Sequence, residues 1–169
     1  MLLFVFLYVG FWLIWDGRAS GEEEVRPGTT IAVSDSVSFV PVGGWSLERG
    51  EITPGQRSTV TSGASAFSVS TSTWMGTLEE HTAREKKLLQ AGSKVHLYGN
   101  DQSFHTGNGL TGVKFSYFAS KVEGILWIAY DPGTKTVVTL SGQSAQGTLP
   151  AAASQFQTMV DSVRTGAGQ

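Results

Sequence analysis

The stretch Ile125-Leu126-Trp127-Ile128-Ala129-Tyr130-Asp131-Pro132-Gly133-Thr134-Lys135-Thr136-Val137-Val138-Thr139-Leu140 decides the fold of this chain. Its first six residues are apolar without a break, as a central strand covered on both faces must be. Asp131-Pro132-Gly133-Thr134 has the chemistry of a turn, and residues 135–140 return antiparallel. A buried hairpin of this kind needs further strands beside it and cover on each face.

The flanking sequence supplies both. Val113, Phe115, Tyr117 and Ala119 line one face of a longer strand, which leaves Phe118 on the opposite face. A short strand at 95–98 precedes it, and residues 99–112, with Asn100, Gly107 and Gly109, are expected to form a loop. Thr77-Leu78-Glu79-Glu80 is a capping box, opening a helix that runs to about Gln90 and stops at Ala91-Gly92. Its apolar stripe of Leu78, Ala83, Leu88 and Leu89 is thin, so the helix is expected on the rim of the sheet. Before it, Phe67, Val69 and Thr71 alternate with Ser68, Ser70 and Ser72, the pattern of a strand with one wet face. Residues 46–55 have loop composition. Farther out, Ile31-Ala32-Val33 and Val37-Ser38-Phe39-Val40 form two short strands around Ser34-Asp35-Ser36. Pro41-Val42-Gly43-Gly44 ends that pairing and delivers Trp45 as an apolar anchor. Downstream, Pro150 opens a helix whose Ala152, Phe156, Met159, Val160 and Val163 recur at helical spacing. The class is α+β, an antiparallel β-sheet flanked by helices over residues 29–165, with a tail at 166–169.

Composition agrees. The 169 residues hold 21 glycines and 40% apolar residues, enough for one domain core. A formal charge of −2 without a Lys/Arg run leaves nothing for a nucleic-acid surface, so no nucleic-acid partner is expected. There is no cysteine, which removes disulfides, thiolate chemistry, Cys-bound metal and a lipidated Cys.

The other unusual stretch is Met1-Leu2-Leu3-Phe4-Val5-Phe6-Leu7-Tyr8-Val9-Gly10-Phe11-Trp12-Leu13-Ile14-Trp15, which carries no charge. As a helix it measures roughly 22 Å, short of a hydrocarbon core of ~30 Å. A buried core helix and a cleaved signal peptide, with Gly17-Arg18-Ala19 as its small-residue site, both fit that length. The favoured reading is a transmembrane anchor over residues 1–16, spanning with bilayer thinning or from a start upstream of Met1. Leu2, Phe4, Phe6, Tyr8, Phe11, Trp12 and Trp15 would be its membrane contacts, the aromatics typical of the interface. The acidic flank of Asp16 and Glu22-Glu23-Glu24 places the domain on the extracytoplasmic side of a cell membrane. Residues 17–28 are expected to be a solvated linker.

Chemistry is sparse. His81, His96 and His105 show no metal-ligand spacing, and His81 has no histidine one turn away. His105 and Asp101 share the expected loop, where an acid–base pair would have to be weighed against two solvated side chains. No G-x-S-x-G elbow or phosphate-binding glycine loop occurs. No cofactor or metal is expected, and no enzyme. The aromatics exceed what a small core requires. Trp45, Phe115, Trp127 and Phe156 are assigned to the core, whereas Trp74 and Phe118 are candidates for contact with a partner or lipid.

The order of these elements resembles the PsbP-like family, which includes photosystem II extrinsic protein P, a Ran-binding import factor and actinobacterial envelope lipoproteins such as LpqN. Val37-Ser38-Phe39-Val40-Pro41-Val42-Gly43-Gly44-Trp45 is similar to its opening motif. Residues 113–140 are similar to its central strands, and Phe156-Gln157-Thr158-Met159-Val160-Asp161-Ser162-Val163-Arg164 to its closing helix. The resemblance covers about residues 29–164 and identifies a membrane-anchored member of actinobacterial type. It implies a non-catalytic partner or accessory subunit. With the anchor, the short tether and the absence of chemistry, the expectation is an accessory or scaffold subunit of a larger membrane complex with an integral membrane protein as partner. Envelope-lipid export by an RND-class transporter, or a respiratory assembly, is the setting the resemblance suggests. The alternative is a carrier that holds a lipid or other apolar ligand between sheet and helix.

Overall fold

The computed structural model of the protein describes residues 23–47, 57–92 and 95–166. In chain order the elements are β1 (Glu23–Glu24), β2 (Ile31–Ser34), β3 (Val37–Phe39), β4 (Ser46–Leu47), β5 (Arg57–Ser62) and β6 (Ser65–Thr73). There follow α1 (Leu78–Gly92), β7 (His96–His105), β8 (Thr111–Phe118), β9 (Val122–Asp131), β10 (Thr136–Ala145), α2 (Leu149–Ser162) and β11 (Arg164–Thr165). An eight-stranded antiparallel sheet has the order β1-β4-β5-β6-β10-β9-β8-β7, and a three-stranded sheet the order β11-β3-β2. The α+β class with helices on an antiparallel sheet is therefore what the chain adopts.

The hairpin β9–β10 is central, pairing Leu140 with Trp127 and Val137 with Tyr130. Successive side chains on a strand point to opposite faces, so a continuous apolar run must feed two cores. On one face Leu126, Ile128, Val137 and Phe115 pack with Leu89 of α1. On the other, Trp127, Ala129, Val138, Leu140 and Phe67 pack with Phe156 and Met159 of α2 and with β2 and β3. The layers run from α1 through the large sheet to α2 and the small sheet. Trp45, Phe115, Trp127 and Phe156 are all buried, as their spacing predicted.

The motifs at the two ends of the domain meet in space. Trp45 lies edge-on to Phe156 with centroids 5.9 Å apart, and its Nε1 donates to Gln155 Oε1 at 3.0 Å. Val40 N donates to Ser162 Oγ at 2.9 Å. Two segments more than a hundred residues apart thus close the same core.

Four expectations need correction. Ser46–Leu47, at the start of the expected loop 46–55, form a short strand that pairs with β5. Arg57–Ser62, to which the sequence reading assigns no element, is a strand that pairs with β6 although Val60 is its single large apolar residue. The expected loop at 99–112 is mostly strand: β7 continues to His105, and the turn itself occupies residues 106–110. α1 packs over central strand β9 rather than along a rim, because its inner face includes His81, Thr82 and Glu85 while Ala83 is exposed. Finally, the expected linker is partly domain. Glu23–Glu24 pair with β4, and Val25 is buried with its N–H donating to Trp45 O at 2.9 Å.

No helix among the described residues is long and apolar enough to cross a membrane. The expected anchor at residues 1–16 lies outside the described residues, as do the first part of the linker and residues 167–169 of the tail.

Candidate functional site

The alternation that buries Phe115 and Tyr117 points Phe118 the other way, at the end of β8. Register with β7 sets His96 directly opposite Phe118, and Tyr98 opposite Ser116 on the same face. The rings come together there: His96 stacks on Phe118 at 5.1 Å, and Tyr98 lies 5.9 Å from it. Phe118 is 38% exposed and Tyr98 43% exposed, and β7 is the last strand of the sheet. The result is a rigid aromatic face on an edge hairpin, beyond the cover that α2 and the small sheet give to the centre. Single exposed apolar residues are ordinary, whereas a contiguous aromatic group is a marker of contact surfaces.

Trp74, the other candidate, is occupied by its own fold. Its Nε1 donates to Thr77 O at 2.9 Å, its ring meets His81 edge-on at 5.0 Å, and Arg84 lies over it at 5.4 Å. Tyr130 Oη donates to its carbonyl at 3.4 Å. It clamps the start of α1, beside the capping box in which Thr77 N donates to Glu80 Oε2 and Glu80 N to Thr77 Oγ1. The strongly exposed apolar neighbour is Met75.

The histidines divide into three roles. His81 Nε2 lies 3.5 Å from Glu85 Oε1, one turn on, with both side chains buried and His81 Nδ1 without a partner. Burial, with Arg84 adding to it, holds the His81 pKa below its usual value. Burial also raises that of Glu85, partly opposed by Arg84. The pair is turned into the core. The sequence signal was the i,i+4 spacing of His and Glu, which a search for histidine pairs passes over. His96 belongs to the aromatic face. His105 ends β7 opposite Thr111, and Asp101 is engaged elsewhere, its carboxylate accepting from Lys86 Nζ. Of the two readings weighed for Asp101 and His105, the acid–base pair is not the one the described contacts show.

Among the described residues no three His, Asp or Glu side chains gather as metal ligands. A cleft of about 360 Å³ opens at the far end of the β9–β10 hairpin, with Val37, Leu110, Ala129 and Val138 among its apolar lining. Its carboxylate, Asp131, is held below the usual range by the Thr134 hydroxyl and then by Gly133 N–H, both part of the turn. Between the sheet and α2, where an apolar ligand would be carried, Trp45, Phe67, Phe156 and Met159 fill the space.

No family model matches the chain, and no curated protein sequence matches it. Solved structures do. The cyanobacterial PsbP protein (CyanoP) of Synechocystis sp. PCC 6803 superposes with a TM-score of 0.61 at 15% identity, over 89% of this chain and 99% of that one. The Ran-binding protein Mog1p of Saccharomyces cerevisiae gives a TM-score of 0.53 at 10% identity, over 87% and 96%. At such identities the likeness is one of fold, and the fold is PsbP-like.

Proposed function

We propose that this chain is a non-catalytic accessory subunit of a membrane complex, anchored by residues 1–16, with its PsbP-like domain on the extracytoplasmic side docked on an integral membrane protein. The observation that carries the reading is the exposed face of His96, Tyr98 and Phe118. Aromatic side chains are enriched at interface centres because they bury a large area at small entropic cost. A hairpin at the sheet's edge holds them in place before any partner arrives, so little ordering has to be lost on binding. Mog1p is by name a Ran-binding protein, so a domain of this shape serves protein docking elsewhere.

The test is affinity purification of the full chain from its own membranes in mild detergent, beside the double variant Tyr98→Ala/Phe118→Ala. The wild type is expected to retain an integral membrane protein that the variant loses, while the thermal midpoint changes little because both side chains are exposed. Retention of the same partner by the variant, or no membrane protein with the wild type, overturns the reading.

A further inference from the structure

We infer that β7 is a self-pairing edge: two copies of this chain join antiparallel, β7 against β7, about a two-fold axis at Asn100, and their sheets become one. The inference goes beyond the docking face, since it concerns the backbone edge of the hairpin rather than its aromatic side.

β7 is ten residues long and outermost in the sheet, and no described strand pairs with its outer side. Native edges are commonly blunted by Lys, Pro, an inward charge or a bulge that turns the edge away. β7 has no Lys or Pro, and its one acidic residue, Asp101, is paired with Lys86, so the bulge is the one such device it carries. Tyr98 pairs with Ser116 and Gln102 with Lys114, so β7 takes four steps where β8 takes two, and Gly99 sits at φ +74°. An ordinary straight strand laid along the outer side could match one flank of this bulge and would be out of register on the other. A strand with the same insertion at the same place stays in register on both. The copy of β7 in a second molecule is that strand.

Face and charge then select the register. His96, Tyr98, Gln102 and Phe104 share one face through their partners on β8, and Leu97, Ser103 and His105 share the other. Opposed residues must lie on the same face. An axis at Asn100 meets this condition, with His96 opposite Phe104 of the second copy, Leu97 opposite Ser103 and Tyr98 opposite Gln102. An axis at Asp101 meets it too, but sets two carboxylates against each other, which is destabilising. Asn100 on the axis pairs amide with amide instead. The arrangement also brings the two aromatic faces into one strip.

Size sets the strength. A ten-residue strand is ~34 Å long, and a strip one strand spacing wide plus side chains buries about 1,000 Å² in total, the lower limit for a specific interface. The dimer is therefore weak and concentration-dependent.

The chain has no cysteine, so Asn100→Cys introduces a single thiol. Directly opposed antiparallel residues have Cα atoms about 4.5–5.5 Å apart, within disulfide reach. In detergent-solubilised full chain, Asn100→Cys is expected to form crosslinked dimer about tenfold or more faster than Lys87→Cys on the exposed side of α1, because pairing raises the local thiol concentration. Sedimentation of the wild type is expected to show a monomer–dimer equilibrium that Asn100→Lys shifts to monomer at unchanged melting temperature. Equal crosslinking of the two cysteine variants, a wild type monomeric at all concentrations, or a dimer that survives Asn100→Lys overturns the inference. None of these outcomes depends on whether a membrane partner is retained.

Discussion

Glu123 stands on β9 but serves α2: its Oε1 accepts from Gly147 N at 2.8 Å and Leu149 N at 2.9 Å. The first amides of a helix lack intrahelical partners, and Thr148 offers no side-chain cap, so a carboxylate from the sheet completes the helix and meets its positive end. Glu123→Ala is expected to lower stability by about 1–2 kcal/mol in a urea titration, with Glu123→Gln intermediate. Gly142 is constrained from the other direction. A Cβ there would lie 2.7 Å from the Phe156 ring, so Gly142→Ala should cost about 1–3 kcal/mol by overpacking. Glu85 gives a signed pH dependence. Its pKa is raised on folding from 4.5, so the unfolded chain releases the proton first and stability falls as pH rises above that value. His81, lowered from 6.5, works oppositely and withdraws stability as pH falls below its unfolded value. Thermal melts across pH 4–8 are expected to show Glu85→Gln gaining on the wild type from about pH 4.5 upward. A gap that stays flat with pH would exclude the buried carboxyl as its source.

Legibility differed between elements for reasons of packing. β9 and β10 were plain in the sequence because both faces are covered, and α2 because its buried stripe is wholly apolar. α1 was recognised by its capping box but misplaced, since half of its inner face is His81, Thr82 and Glu85, residues that a hydrophobic pattern counts as exposed. β5 escaped for the same cause: Ser58 and Thr59 are buried beside Val60, so no alternation of polarity marks the strand. Of the candidate surface, Phe118 followed from period two alone. His96 and Tyr98 did not, because their meeting with Phe118 depends on the register of β7 against β8, which the short strand at 95–98 leaves open. The closing contact between β3 and α2 offers a test at this scale. Ser162 Oγ accepts from Val40 N and lies within bonding distance of Val40 O and Met159 O. Ser162→Ala leaves a part-buried amide unpaired, so a loss of about 1–2 kcal/mol is expected, with the melting transition remaining single.

At the scale of the molecule the question is where the folded unit begins. Composition places a tether at residues 17–28, because Glu22-Glu23-Glu24, Pro27 and Gly28 all favour solvent or turns. The structure instead carries the sheet outward to Glu23–Glu24, whose register with Leu47 and Ser46 makes β1 the last strand on that side. Val25, next in the chain, is 8% exposed and belongs to the core that contains Trp45. Backbone pairing is indifferent to side-chain charge, so two glutamates can form an edge strand that composition does not announce, and their charge discourages further pairing there. The opposite edge, β7, lacks that protection, and the two ends of the sheet differ accordingly. A chain beginning at residue 29 should therefore be less stable than one beginning at 23, although both retain β2 onward. Loss of the Val25 side chain alone is worth roughly 1.5 kcal/mol, and the pairing with β4 and the bond to Trp45 O bring the expected deficit to about 2–3 kcal/mol. Denaturant titration of the two chains would measure it. Equal midpoints would return residues 23–28 to the expected linker, and a deficit of the expected size would set the start of the folded unit at residue 23.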